Sequence, residues 1–319
     1  MGGVPLVTGA TGFAGSHLID LLCDEGDALA AWANPDGKRA PTPSHAQVRW
    51  NHVDILNPAA VADAIAELRP SAIYHCAGAA HVAAAWIQPA HALRLNALGT
   101  HHVLEGVRAA GLECPVLVTG SALIYQPSPN ALTEDSPIGA TDPYGLSKLA
   151  QEMVALRATW CPVLVTRSFN HAGPRQSPSY VTSSFARQIA EIEAGLHDPV
   201  LRVGNLDSRR DITDVRDTVR AYRRLIDAGV PRQPYNVCAA RAYRIAELLE
   251  WLLGMASVSV RIEIDPARLR PSDTPVVLGD RSRLEEVTGW QPELPIERTL
   301  ADLLEYWRQE TKRTATSRV

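Results

Sequence analysis

The chain has little of what marks a membrane protein, a secreted scaffold or a nucleic-acid binder. No apolar run reaches the roughly 18 residues that a membrane-spanning helix needs. The first residues, MGGVPLVTGATG, carry neither the basic start nor the apolar core of a secretory leader. Five cysteines (Cys23, Cys76, Cys114, Cys161, Cys238) are odd in number, far apart and mostly set in apolar runs. They read as buried thiols in a reducing, cytoplasmic compartment. Formal net charge is only −4, with no basic stripe and no acidic tail, so no nucleic-acid partner is expected. The ten histidines show no metal-ligand spacing. His101 and His102 are adjacent, and side chains one apart on a helix do not converge, so no metal is expected. Lysine is scarce as well: Lys38, Lys148 and Lys312 are the full set.

What is present is an alternating pattern. The 319 residues are 46% hydrophobic, ample to bury a core. Short β-branched runs at 4–7, 28–32, 47–54, 72–76, 116–119 and 163–168 read as strands. Longer amphipathic stretches at 12–23, 58–68, 89–110 and 144–160 read as the helices between them. Strands apolar on both faces and separated by helices imply a parallel sheet covered on both sides. That is the doubly wound α/β, Rossmann-type pattern. After about residue 169 the pattern changes. A Pro/Ser-rich segment at 171–180 leads to helices near 183–194 and 214–228 and strands near 201–203 and 258–264. Helices near 281–287 and 295–310 close the chain. The expected organisation is a dinucleotide-binding unit over 1–170, with 205–238 returning to it. Residues 171–319 mainly form a smaller, interleaved α/β substrate lobe.

The first strand runs into Gly9-Ala10-Thr11-Gly12-Phe13-Ala14-Gly15. Glycines at this spacing allow a tight turn, close approach of backbone to a pyrophosphate, and close helix–strand packing. The helix opening there offers unpaired N–H groups and a positive dipole end to phosphate. The plainer alternative, a simple tight loop, does not explain why it follows a strand and opens a helix. The tip of the second strand, Asn34-Pro35-Asp36-Gly37-Lys38-Arg39, has no acid where NAD would place one. Lys38 and Arg39 can meet a 2′-phosphate, which favours NADP(H) and leaves NAD(H) possible. Asp54 can accept from the adenine amino group, or cap the following helix, or both.

Tyr144 and Lys148, in Pro143-Tyr144-Gly145-Leu146-Ser147-Lys148, share one face of a helix. A ketone that receives hydride on carbon must receive a proton on oxygen. A free phenol, with a pKa near 10, is a weak acid–base group at neutral pH. An ammonium one turn away is expected to favour the phenolate and to hold the nicotinamide ribose. Ser121, at the end of the fifth strand, supplies a third donor for the forming oxyanion, or else simply forms a turn.

The Gly-Ala-Thr-Gly-Phe-Ala-Gly loop, His75-Cys76-Ala77-Gly78, Asn96-Ala97-Leu98-Gly99-Thr100 and the Tyr144/Lys148 pair together resemble the extended short-chain dehydrogenases/reductases, over nearly the whole chain. The second half resembles the GDP-mannose branch of that family, which holds 4,6-dehydratases and 4-keto-6-deoxy-sugar reductases. The likeness rests on Phe169-Asn170-His171-Ala172-Gly173-Pro174-Arg175-Gln176, Val203-Gly204-Asn205-Leu206-Asp207, Arg210-Asp211, and Leu269-Arg270-Pro271-Ser272-Asp273. Trp86 fits the same branch. The resemblance implies that Asn170, Arg210 and Arg270 hold the substrate diphosphate and nucleotide, unless the arginines pair with Asp211, Asp214 or Asp273. It further implies cofactor contacts from Ile55, Ala77, Gly78, Ala79, Asn96 and Thr119. Substrate contacts are implied for His81, Ser121, Leu123, Val181 and Asn205. A homodimer through the helices at 89–110 and 144–160 is also implied.

One departure separates the branch's two reactions. The dehydratases of this likeness carry an acid just before the tyrosine that matches Tyr125, to take the C5 proton and help expel the 6-hydroxyl. Here those positions are Ala122 and Leu123, and neither can move a proton; alternatively, the pair only shapes a pocket for a deoxy sugar's methyl group. The expected reaction is therefore reduction, by NAD(P)H, of the C4 ketone of a GDP-linked 4-keto-6-deoxy sugar. A nucleotide-sugar 4-epimerase with retained NAD is the alternative. A dehydratase or a non-catalytic dinucleotide sensor ranks below both.

Overall fold

The structure, a computed structural model, describes residues 3–37, 45–269 and 274–316. Thirteen strands are assigned among these residues: β1 (Leu6–Thr8), β2 (Leu29–Ala33), β3 (Val48–His52), β4 (Ile73–His75), β5 (Val116–Ser121), β6 (Val163–Ser168), β7 (Asn170–Ala172), β8 (Val200–Val203), β9 (Arg209–Asp214), β10 (Pro234–Val237), β11 (Ala242–Arg244), β12 (Arg261–Ile264) and β13 (Val276–Val277). The helices are α1 (Phe13–Asp24), α2 (Pro58–Leu68), α3 (Val82–Ile87), α4 (Pro89–Leu93), α5 (Gly99–Ala109), α6 (Pro143–Leu156), α7 (Val181–Glu193), α8 (Val215–Ala228), α9 (Ile245–Gly254), α10 (Ser282–Thr288) and α11 (Ile296–Thr316).

Seven strands form one sheet in the order β10-β6-β5-β4-β1-β2-β3, every pair parallel. This is the doubly wound sheet that the sequence predicts. Strand β2, Leu-Ala-Ala-Trp-Ala, is buried at all five positions, which is why it reads as a continuous apolar run. Separate clusters cover the two faces. Leu18, Leu22, Tyr222 and Leu225 of α1 and α8 lie on one, and Val61, Ile65, Val103, Val107 and Ala155 of α2, α5 and α6 on the other. The strand order turns back between β1 and β4, so the ligand crevice of such a sheet lies beyond their carboxyl ends.

Helix bounds follow local chemistry. Asn57 accepts from the Ala60 amide at 3.1 Å and Pro58 opens α2, while Arg69 ends it in left-handed backbone. Asp54 is therefore not the cap; its carboxylate closes a turn on the Leu56 amide at 2.9 Å. The expected continuous helix over 89–110 is interrupted by a π turn at Arg94–Leu98 between α4 and α5. Such single-turn π insertions are rare within α-helices, so a periodicity reading assigns one continuous helix. The helix expected over 144–160 ends at Leu156.

Within 205–238, α8 packs on α1 and β10 pairs with β6, whereas β9 lies in a separate four-stranded sheet with β7, β11 and β13. Strands β8 and β12 form a two-stranded ribbon. Helices α7, α9 and α11 enclose the core of this second part, around Phe185, Leu248 and Leu300. No helix among the described residues is long and apolar enough to cross a membrane.

Candidate active site

The glycine loop joins β1 to α1 at the crevice. Gly9 has φ +63°, and a Cβ there would meet the Ala77 backbone at 2.6 Å. A Cβ on Gly15 would meet the Gly9 carbonyl oxygen at 2.4 Å. Both positions therefore exclude a side chain. Gly12 caps α1 with extended backbone and no side-chain cap, and the helix has no acid in its first turn. Its first amides are thus left for an anion. Phe13 stacks on His171 (5.5 Å between centroids, 8° between planes) and meets His17 edge-on, so it joins the loop to the second part of the chain. Thr11 is half-buried, and Ala14, in the first turn of α1, packs on the core.

Asp142 caps α6 by accepting from the Gly145 amide at 2.9 Å, with Pro143 in the first turn. Tyr144 then sits on the first turn, half-buried, with the Ser121 hydroxyl acting on its phenol. Ser121 accepts from the Leu123 amide at 3.2 Å, so its side chain does form the turn after β5. Burial pushes the Tyr144 phenol well above its ordinary range, and Tyr180 adds to the rise. Lys148 does not contact the phenol as expected. Its Nζ donates to the Thr119 carbonyl at 2.9 Å and to Gln151 Oε1 at 2.8 Å. Burial lowers this ammonium to about 8, opposed by Cys76. Sequence spacing placed the two side chains on one face but could not say which way each would turn.

The other expected residues divide into three groups. Ala77, Gly78 and Ala79 follow β4 at the crevice; the Ala77 amide donates to Thr8 Oγ1 at 3.3 Å and that of Ala79 to Asn96 Oδ1 at 2.8 Å. Asn96, fully buried in the π turn, donates to the Ala79 carbonyl and to Ser147 Oγ, so its side chain ties this loop to α6. Thr119 Oγ1 donates to the His75 carbonyl at 3.1 Å. Asn34 is exposed at the tip of β2 and closes a turn on the Asp36 amide. Ile55 is buried against Gly99.

The expected substrate residues are spread over several elements. His81 packs against the Tyr180 ring at 5.0 Å and lies 3.2 Å from Ser179 Oγ. Asn170 is exposed at the start of β7, Val181 opens α7, and Leu123 follows Ser121. Asn205 closes a turn on the Asp207 amide. Arg210 donates to the Arg209 and Thr274 carbonyls at 2.9 and 2.8 Å. The acids expected as its alternative partners are engaged elsewhere: Asp211 by the Ala239 and Gly279 amides, Asp214 by Arg216. Lys38, Arg39 and Arg270 lie outside the described residues.

Two residues escaped the sequence reading. Tyr180 ties the start of α7 to the loop after β4: its hydroxyl donates to the Ala80 carbonyl at 2.8 Å, and it acts on Tyr144. Its only signal is a tyrosine directly before a helix in the Pro/Ser-rich segment. Gln151, one turn beyond Lys148, gives no signal at all.

A family model described as GDP-mannose 4,6 dehydratase matches residues 6–303. The GDP-6-deoxy-D-mannose reductase of Pseudomonas aeruginosa is 36% identical over 313 residues, which cover 96% of this chain and 97% of that protein. The solved structure of RMD from Pseudomonas aeruginosa complexed with NADPH matches with a TM-score of 0.83 at 34% identity, covering 96% of this chain and 99% of that one. A UDP-glucose 4-epimerase of Thermotoga maritima matches with a TM-score of 0.86 at 23% identity, over 96% and 99% of the two chains, a likeness of fold alone. With the glycine loop, the Ser121/Tyr144/Lys148 set and most of the second lobe inside the matched span, the chain belongs to the GDP-mannose 4,6-dehydratase family.

Proposed function

We propose that this chain reduces the C4 ketone of a GDP-linked 4-keto-6-deoxy-mannose to a GDP-6-deoxyhexose. NADPH is the favoured reductant and NADH the alternative. The observation that carries the reading is the pair Ala122 and Leu123 directly after Ser121, where dehydration would need an acid. Asp142, the carboxylate that acts on the phenol, is already committed to capping α6. The relative whose printed name is a reductase agrees with it.

The site fits a dinucleotide. The uncapped, acid-free start of α1 and the left-handed Gly9 suit a pyrophosphate, and Asn34 stands where an acid would repel a 2′-phosphate. Bound there, the nicotinamide supplies hydride to the ketone carbon. Tyr144 supplies the proton to the ketone oxygen. Its raised pKa keeps it protonated through neutral pH, the form a reduction needs. Ser121 donates to the same oxygen as its charge develops. Lys148 holds the ribose, Asn170, Arg210 and Arg270 the GDP diphosphate, and His81, Leu123, Val181 and Asn205 border the sugar and nucleotide. Residues 1–170 with the α8–β10 return form the cofactor unit and the remainder the substrate lobe. The unpaired cysteines fit a cytoplasmic setting.

Purified protein mixed with NADPH and GDP-4-keto-6-deoxymannose is expected to consume the reduced nicotinamide at about 1 s⁻¹ or faster. No consumption with either cofactor, or conversion of GDP-mannose itself to a 4-keto sugar, would reject the reading.

We also propose a homodimer. Leu93 and Leu98 (43% and 41% exposed) and, on α6, Leu146 and Met153 (57% and 61%) leave apolar side chains in solvent on the helices of the family's pairing face. Light scattering should give twice the 34.6 kDa chain mass. The double variant Leu146→Glu/Met153→Glu should give one chain mass with its melting midpoint kept. An unchanged mass for the variant would reject this face.

A further inference from the structure

Lys148 stands at one end of a buried hydrogen-bond chain that reaches the nucleotide loop. Gln151 Oε1 accepts from Lys148, and Gln151 Nε2 donates to Thr100 Oγ1 at 2.9 Å. Thr100 donates to the Asn96 carbonyl at 2.7 Å and lies 3.0 Å from His75 Nε2. His75 Nδ1 lies 2.8 Å from Thr8 Oγ1, which accepts from the Ala77 amide. Gln151, Thr100, His75 and Thr8 are all fully buried.

The donors and acceptors allow one polarity. An ammonium can only donate, so Gln151 must present its oxygen to Lys148 and its NH₂ to Thr100. The single Thr100 proton is used on the Asn96 carbonyl. His75 Nε2 must therefore carry the proton, and Nδ1 must accept from Thr8. His75 is then neutral in one tautomer, in keeping with burial and Lys148 lowering it to about 3. Two of the three Lys148 protons are spent on Thr119 and Gln151, and one remains.

We propose that Gln151 is a positioning residue: through this one-way chain it fixes Lys148 so that a single N–H is left for the dinucleotide. The proposal rests on the reading of Lys148 as the ribose-holding group. The titratable groups that act on Lys148 are His75 and Cys76 from the end of β4, while β5 offers the Thr119 carbonyl. The Cys76 thiol is pushed up to about 12 by burial and is neutral. No anion balances the ammonium within this set, and a neutral amide fills the position where one would fit.

The test is NADPH binding to the full chain, followed by nicotinamide fluorescence across pH, for wild type, Gln151→Leu, Gln151→Met and Gln151→Glu. Wild-type affinity is expected to fall as pH rises through about 8, as Lys148 loses its proton. Gln151→Leu and Gln151→Met should weaken binding about tenfold at neutral pH, the scale of one hydrogen bond to a charged group. Gln151→Glu should move the alkaline fall upward by about one pH unit or more, because an opposite charge beside an ammonium raises its pKa. A purely structural glutamine would leave that fall in place. Unchanged affinity and pH limb in all three variants would overturn the proposal, as would nitrogen NMR showing the His75 proton on Nδ1. Binding needs no sugar, so a wild type that binds NADPH but reduces no keto sugar would reject the proposed reaction and leave Gln151 standing.

Discussion

Tyr144→Phe is expected to lower kcat by about a thousandfold, within the usual 10²–10⁴ range for a general acid, with NADPH affinity unchanged within about twofold. The first expectation follows from the phenol's burial and its Ser121 contact: among the described residues it is the protonated group at the crevice poised to give a proton. Water admitted to the vacated position is a poorly held donor. The second follows from the finding that Lys148 is anchored by Thr119 and Gln151 and not by the phenol, so removing the hydroxyl leaves it in place. The pH profiles should separate the two groups. Tyr144 lies above its ordinary range and contributes no decline near neutrality, whereas Lys148, near 8, sets the alkaline limb. Stopped-flow single turnovers and fluorescence titration provide both numbers. A loss under about tenfold would remove Tyr144 from the proton step.

Glu152→Gln should be the costliest single change to stability, about 3–5 kcal/mol. Arg167 on β6 grips Glu152 on α6 with two hydrogen bonds of 2.6 and 3.0 Å, both side chains being 4% exposed. The same guanidinium donates to the Tyr125 hydroxyl and the Glu134 carbonyl. Once the carboxylate is gone the buried cation cannot escape its cost, because arginine does not deprotonate in proteins. With an unfolding entropy of ~2.1 cal/mol/K per residue, the melting midpoint of the 319-residue chain should drop by roughly 5–7 °C. Glu67→Gln, which breaks the exposed pair with Arg49, is the control and should cost about 0–1 kcal/mol. Calorimetry that finds the two variants alike would refute this ranking. Because Glu152 lies one turn beyond Lys148, the pair also moors the catalytic helix to the sheet.

The sheet was legible because its strands are short apolar runs, and β6 begins and ends where the sequence places it. Helix α2 was legible too, since a proline at its start fixes the boundary. Small strands of the second sheet were not: β7, β11 and β13 span two or three residues, too few for a period to register. Helix α9, Ile-Ala-Glu-Leu-Leu-Glu-Trp-Leu-Leu-Gly, went unassigned although it buries Ile245, Leu248, Leu249 and Leu252 at helical spacing. Within the site, the glycines, Ser121, Tyr144 and Lys148 are local in sequence or stand at strand ends, and the spacing exposes them. The polar chain behind Lys148 draws on positions 8, 75, 100 and 151, which meet only after folding.

The last strand of the seven-stranded sheet comes from far along the chain. β6 ends at Ser168, but its neighbour β10 finishes at Val237. On the ribosome, at about 5–20 residues per second, the edge Val-Leu-Val-Thr-Arg-Ser stays bare for several seconds before its partner emerges. A nascent chain with a six-residue, β-prone rim on display is an invitation to intermolecular pairing. Slowed translation beyond codon 168, or depletion of chaperones that shield such rims, should therefore lower the soluble yield of this protein before it alters the activity of the molecules that finish folding.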